Sequence, residues 1–188
     1  FAIGFFLDSR ECRLALIIRT PSADELPALS DLCFRSKAVW GYDDAFMNAC
    51  RAELSFGPRD LELTHVAVAE QDGRPAGVVQ VGIDGGNAQL LKLFVEPEGL
   101  RKGTGKALLN WASRTARRMG ARQMVIESDP DAAPFYRRMG ARDTGTAPSG
   151  SIPGRSCRSL CSTSGDLLKP AIDERRRSSS PDPRHAAM

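Results

Sequence analysis

Two glycines, Gly103 and Gly105, stand among three cations, Arg101, Lys102 and Lys106, in the stretch GLRKGTGKALL. The apolar run LLKLFV precedes them and an amphipathic stretch, ALLNWASRTARRMG, follows. A strand that feeds a helix through such a loop presents consecutive backbone N–H groups at the helix N-terminus, where the helix dipole favours anions. Glycines there remove the Cβ atoms that would hold a phosphate away from those donors. The chemistry is phosphate binding, and the spacing selects the phosphate. The loop of nucleotide triphosphatases needs glycine, four residues, glycine, lysine, then Ser or Thr. Counting back from Gly105-Lys106 puts Leu100 at the first glycine and Ala107 at the magnesium-binding hydroxyl. The dinucleotide fingerprint G-x-G-x-x-G needs a third glycine where Leu108 stands. Both templates fail, and a pyrophosphate of another kind remains.

The elements that must position this loop lie on both sides of it. LALIIRT, residues 14–20, reads as a strand. Ser22 with Glu25 three residues on is a capping box, and Leu26, Leu29 and Cys33 share one helical face after it. YDDAFMNACRAEL, residues 42–54, offers Asp43 or Asp44 as a cap and then Phe46, Met47 and Cys50 at helical spacing. The period then changes. Strands are expected near 64–70, 76–83 and 87–95, separated by DGRP and DGGN and ended by Pro97, which makes an antiparallel meander. A helix from about Thr104 to Met119 turns Leu108, Leu109, Ala112 and Ala116 inward, and Gly120 closes it. RQMVIES is a strand, DAAPFYRRMG a short helix ended by Gly140, and ARDTGTA another strand. The order β-α-α-β-β-β-α-β-α-β predicts an α/β domain with a mixed sheet rather than a doubly wound one. The weak point is the end: CRSLCSTSGD alternates poorly, and loss of a final strand there would compromise the sheet edge.

From about 15 to 155 the chain resembles the GNAT acetyltransferase superfamily, and in particular a bacterial subgroup of unassigned substrate. The family's cofactor motif reads Arg/Gln-x-x-Gly-x-Gly/Ala. Gly103 and Gly105 match it, whereas Leu100 replaces the usual first residue and Arg101 lies one place along. LFVEP before the loop and ALLNWA after it match in type. MVIESDPDAAPFYRRMGAR is similar to the second conserved segment, whose Phe-Tyr-x-x-x-Gly-Phe becomes Phe135 to Ala141 here. RSKAVWGYDDAFMNAC and PSGSIPGR look like the bacterial subgroup, which commonly carries Asn where this chain has Asp131.

The resemblance implies a mixed, mostly antiparallel sheet flanked by helices, with a splayed acyl-CoA-binding strand pair and acetyl-CoA as co-substrate. The pantetheine arm would lie beside the strand ending at Val95, bonded by main-chain groups near Leu93, Phe94 and Val95. The pyrophosphate would take N–H groups from Leu100, Arg101, Lys102, Gly103, Thr104 and Gly105. Arg101, Lys102 or Lys106 would screen its charge, or stand as ordinary surface cations. Tyr136 occupies the family's acid position, from which a phenol returns a proton to the departing thiolate; the plainer role is packing beside Phe135. A backbone N–H near Phe94 or Val95 would polarise the thioester carbonyl. For the base, Glu96 and Glu127 both stay open beside structural roles. Trp40 and Tyr42 would wall the acceptor with Asp43 and Asp44 attracting an amine, or serve as an anchor and a cap. Arg155 would meet a substrate carboxylate, or be a loop cation. The implied function is transfer of an acetyl group from acetyl-CoA to the primary amine of a small molecule, by direct attack in a ternary complex. A catalytically silent CoA-binding or regulatory domain is the alternative from another class.

Bulk properties bound these readings. A chain of 188 residues suits one domain, and 41% hydrophobic with 26% charged residues is ordinary for a globular one. The net charge of +3 is too small to imply nucleic acid, and the cations are not interleaved with aromatics. No apolar run approaches the roughly 18 residues of a membrane span. FAIGFFL lacks a basic flank and a cleavage site, so no signal peptide is expected. Cys12, Cys33, Cys50, Cys157 and Cys161 are odd in number and scattered, which fits reduced thiols in a cytoplasm; no second pair completes a metal site with Cys157 and Cys161. Residues 1–13, opening on Phe1, read as an N-terminal extension, 14–160 as the acetyltransferase domain, and 161–188 as a disordered tail of a monomer or homodimer.

Overall fold

A computed structural model of the chain describes residues 15–163. The N-terminal extension and the tail from 164 onward lie outside the described residues. A short strand, β1 (Ile17–Arg19), leads to a turn of 3-10 helix in which the Ser22 N–H and O–H donate to the Glu25 carboxylate at 2.8 and 3.0 Å. This is the expected capping box, and it launches α1 (Leu26–Ala38), whose Leu29, Leu32 and Cys33 are fully buried. The helix expected over 42–54 is broken at Cys50 into α2 (Asp44–Ala49) and α3 (Arg51–Leu54). The Asp43 carboxylate caps α2 by accepting from Phe46 N–H at 2.8 Å. A further short helix, α4 (Pro58–Leu63), escaped the sequence reading; Pro58 sits in its first turn and Asp60 accepts from Gly57 N–H at 2.7 Å.

The meander follows as β2 (His65–Gln71), β3 (Arg74–Asp84) and β4 (Asn87–Val95). Asp72 and Gly73 at the first turn, and Gly85 and Gly86 at the second, all have positive φ, from 52 to 81°. That is the type I′ geometry whose twist matches the flanking strands. The remaining elements are α5 (Thr104–Arg118), β5 (Gln123–Ser128), α6 (Ala133–Arg138), β6 (Arg142–Pro148) and β7 (Ser156–Thr163). The sheet order is β1-β2-β3-β4-β5-β7-β6, and only the β4–β5 pair is parallel. It is the mixed, mostly antiparallel sheet that the sequence implied.

Alternation along the strands divides the interior into two layers. Val66, Val68 and Val78 face α1 to α4 and pack with Leu29, Leu32 and Met47. Ala67, Ala69, Val79 and Val81 face the other way, onto Leu108, Leu109, Ala112 and Ala116 of α5. Gly77 permits that approach, since a Cβ there would stand 2.9 Å from both Leu108 Cδ1 and the Phe94 carbonyl oxygen.

The concern over the final strand is overturned. The stretch from Cys157 continues as β7, which lies between β5 and β6 and pairs with both. Leu160 has no exposed surface and Ser162 is buried on the same face. A strand with ladders on both sides satisfies its backbone groups without an apolar alternation to announce it. β7 also runs three residues past the expected boundary at 160, to Thr163.

Candidate active site

The site begins with an irregularity in β4. Gln80 pairs with Lys92 and Val81 with Leu90, so Leu91 is an extra residue bulging from β4. β4 stays beside β5 only from Asn87 to Leu90; beyond the bulge the two parallel strands part. Leu93 and Val95 turn toward the α5 layer and Phe94 toward the α1 layer. In the gap so opened, the Val95 N–H meets the Ser36 hydroxyl in a long contact of 3.4 Å. Leu93, Phe94 and Val95, the three residues expected to line the splay, form the part of β4 beyond the bulge.

The glycine loop follows directly. Leu100 N–H donates to Pro97 O and Lys102 N–H to Gly99 O, both at 3.3 Å. Arg101, Gly103, Thr104, Gly105 and Lys106 have no acceptor for their N–H groups among the described residues. Gly103 caps α5 with φ 94°, and Arg101 adopts φ 63°, a conformation that side chains other than glycine rarely take. A Cβ on Gly103 would meet nothing within 4 Å, so that side of the loop is open. Gly105 lies against the Phe135 ring and Val95, which ties the loop to α6 and to the splay. Arg101, Lys102 and Lys106 are exposed, whereas Thr104 is buried.

Tyr136 on α6 belongs to the same buried cluster as Val95 and the inward face of α5, 7% exposed and edge-on to Phe135 with ring centroids 5.0 Å apart. Burial raises its pKa well above the ordinary phenol value, and the nearby Asp129 charge adds to the rise. Its hydroxyl therefore keeps its proton at neutral pH.

Asp129, one residue past β5, is the hub that the sequence did not reveal. Its Oδ2 accepts from Lys37 Nζ at 3.1 Å and its Oδ1 from Arg155 Nη2 at 2.8 Å. The same Nη2 donates to the Tyr42 hydroxyl at 2.7 Å, and the guanidinium lies 4.8 and 4.7 Å above the rings of Tyr42 and Phe46. Those rings stack on each other at 4.0 Å. Burial alone would lower the Lys37 pKa; the Asp129 carboxylate more than offsets this and leaves it raised. Tyr42 and Arg155, far apart in sequence, thus meet at one end of the splay. Trp40 does not join them: it is 46% exposed and makes no ring contact among the described residues. Asp43 serves as the helix cap. Of the two carboxylates weighed as bases, Glu96 is ion-paired with Arg35 and Glu127 is exposed on β5.

Beyond the bulge the polar residue of β4 is Lys92, half-buried on the α1 side. Its Nζ donates to Gln80 Oε1 at 2.8 Å and lies 4.5 Å over the Phe56 ring, and burial lowers its pKa. A hollow of about 760 Å³ also borders the outer flank of the glycine loop, lined by Leu32, Arg35, Asp72, Arg74, Glu96 and Lys102. It lies apart from Tyr136, Asp129 and Arg155 and does not enter the splay.

Residues 62–140, which span the meander, the loop and Tyr136, fit the family model of the acetyltransferase (GNAT) domain. Over that range the chain is similar to a GNAT domain. Solved structures agree on its fold. The PaiA N-acetyltransferase of Thermoplasma acidophilum, in complex with coenzyme A, superposes with a TM-score of 0.66 at 19% identity, over 80% of this chain and 99% of that one. YncA of Salmonella typhimurium, with its cofactor acetyl-CoA, does so at 0.59 and 20% over 90% and 99%. The ribosomal-protein-S18-alanine N-acetyltransferase of Escherichia coli does so at 0.60 and 19% over 79% and 94%. No curated protein is similar enough in sequence to match. Among the described residues, the chain has no helix long and apolar enough to cross a membrane.

Proposed function

We propose that the protein moves an acetyl group from acetyl-CoA to the primary amine of a small molecule, by direct attack in a ternary complex. The observation that carries this reading is the splay itself: β4 leaves β5 at Leu90 and turns the Val95 N–H into the gap, beside five unpartnered loop amides. In this reading those amides, with the α5 dipole, take the pyrophosphate of acetyl-CoA. The main chain of Leu93, Phe94 and Val95 takes the pantetheine arm as an added strand would. Arg101, Lys102 and Lys106 are exposed cations beside the loop and screen the phosphate charge.

The reaction then follows from the groups in place. A neutral amine nitrogen attacks the thioester carbonyl carbon, and the carbonyl oxygen gains negative charge that the Val95 N–H stabilises. The carbon–sulfur bond breaks with its electron pair leaving on sulfur. The proton lost by the amine is balanced by the one that Tyr136 returns to the thiolate. Glu96 and Asp129 are both ion-paired, whereas Glu127, exposed on β5, has no ion pair among the described residues. The amine arrives neutral or releases its proton to water, and proximity carries much of the rate. The acceptor enters from the α1 side, past Tyr42 and Arg155. We further read the protein as cytoplasmic, from its scattered cysteines, and as a monomer or homodimer that acts without nucleic acid or membrane.

The ion pairing of Glu96 and Asp129 favours a second reading, a silent CoA-binding domain. A thiol-release screen with acetyl-CoA against amino acids, polyamines, aminoglycosides and peptides separates the two. Transfer to at least one amine is expected; binding of acetyl-CoA without turnover on any acceptor would favour the silent domain.

A further inference from the structure

Three successive residues at the end of α1 reach the two arms of the splay. Arg35 pairs with Glu96 at the end of β4, Ser36 meets the Val95 N–H on β4 itself, and Lys37 pairs with Asp129 at the end of β5. Side chains in succession on a helix fan apart by about 100° each, since there are about 3.6 residues per turn. All three can land on the splay only because the last turn of α1 lies across its mouth. Arg35 and Lys37 hold that turn to opposite arms, and Ser36 stands between them, over the gap.

We infer that Ser36 is a second hydrogen-bond donor to the acyl carbonyl oxygen, beside the Val95 N–H; the inference rests on the function proposed above. At 3.4 Å the Ser36 oxygen is a weak acceptor for Val95, beyond the usual 2.7–3.2 Å of an N–H···O bond. No acceptor for the Ser36 proton lies among the described residues. A carbonyl oxygen that accepts from Val95 N–H therefore has a hydroxyl within reach whose proton is uncommitted. A carbonyl oxygen has two lone pairs, and a hydroxyl can rotate to serve the second. The Ser36 oxygen holds the Val95 amide until the thioester arrives, and the two groups then share it. The ion pairs on either side fix the hydroxyl before the reaction, which is what makes such a donor effective as charge develops.

The test reads the bound thioester directly and needs no acceptor. Acetyl-CoA labelled with carbon-13 at the carbonyl is bound to the full chain, and its carbonyl stretch is recorded by isotope-edited infrared spectroscopy, with calorimetry reporting occupancy. In the wild type the band should lie below that of the ligand in water. Ser36→Ala should move it back toward the free value while acetyl-CoA still binds, and Ser36→Thr should restore it. A purely structural serine would alter the melting temperature and leave the band in place. An unmoved band in a fully occupied Ser36→Ala protein overturns the role of Ser36 alone. Absence of acetyl-CoA binding to the wild type would overturn both this role and the function on which it rests.

Discussion

In the proposed reaction one buried side chain, Tyr136, serves both packing and chemistry. Its ring packs in the α5-side core against Phe135, and its hydroxyl, with the pKa raised by burial and by Asp129, remains protonated. A phenol in that state gives up its proton only when a stronger base forms beside it, and a departing thiolate is such a base. Tyr136→Phe keeps the ring and removes only the oxygen. Turnover with any amine found in the screen should fall by about 10²-fold or more, the usual contribution of one acid–base group, while acetyl-CoA affinity changes little. Steady-state kinetics set beside calorimetry decides this, and an unchanged turnover would remove the acid role. The sequence pointed to this tyrosine through a local segment, Phe135 to Ala141. Asp129 had no such signal. Its importance appears only when Lys37 and Arg155, 92 and 26 residues away, fold onto its two oxygens. Ser36 was silent for the same reason, because its partner is an amide 59 residues distant.

Among the elements, the entry into α1 carries a measurable electrostatic tie. Arg19 of β1 donates to Glu25 before α1 and to Glu70 of β2, at 2.7 to 2.9 Å. The hydrogen bonds from Arg19 hold the Glu25 pKa down from 4.5 to about 2. A folded-state pKa below the unfolded one means that the stabilisation is present in full above about pH 4.5 and is lost as pH falls toward 2. Arg19 is 38% exposed on its side chain, so solvent screening reduces the tie to on the order of 1 kcal/mol. Glu25→Gln should therefore lower the melting temperature by about 2–4 °C near neutral pH, and the difference should close between pH 4.5 and 2. Melting curves across that range check it; a pH-independent difference would assign the effect to the lost cap alone. The elements themselves differed in how plainly the sequence announced them. Asp72-Gly73 and Gly85-Gly86 specify their turns locally, and α5 shows its apolar stripe at Leu108, Leu109, Ala112 and Ala116. β7 is built of Ser, Cys and Arg around Leu160, and its identity comes from the strands on either side of it. The break at Cys50 and the six residues of α4 are equally tertiary, since neither has a long periodic pattern of its own.

At the scale of the whole molecule, the sheet works as a hinge-shaped support. Its first half packs on α1 to α4 and on α5 through alternate faces, which fixes β4 between two cores. Its second half, β5, β7 and β6, is joined to the first only along Asn87 to Leu90. The wedge between the halves is a consequence of the Leu91 bulge, and α1 closes one side of it while α5 offers its N-terminus to the other. The central claim is that an acyl-CoA fills this wedge with its pyrophosphate on the loop amides. Isothermal titration with acetyl-CoA of the wild type, Gly103→Ala and Gly103→Glu tests it most directly. Both substitutions place a side chain at φ 94°, so both bear the same backbone strain, and neither Cβ meets another atom within 4 Å. Only the glutamate sets a carboxylate against the phosphates. Saturable binding to the wild type is predicted, with a modest loss in Gly103→Ala and a loss of at least tenfold more in Gly103→Glu. No binding to the wild type, or equal affinity in the two variants, would contradict it.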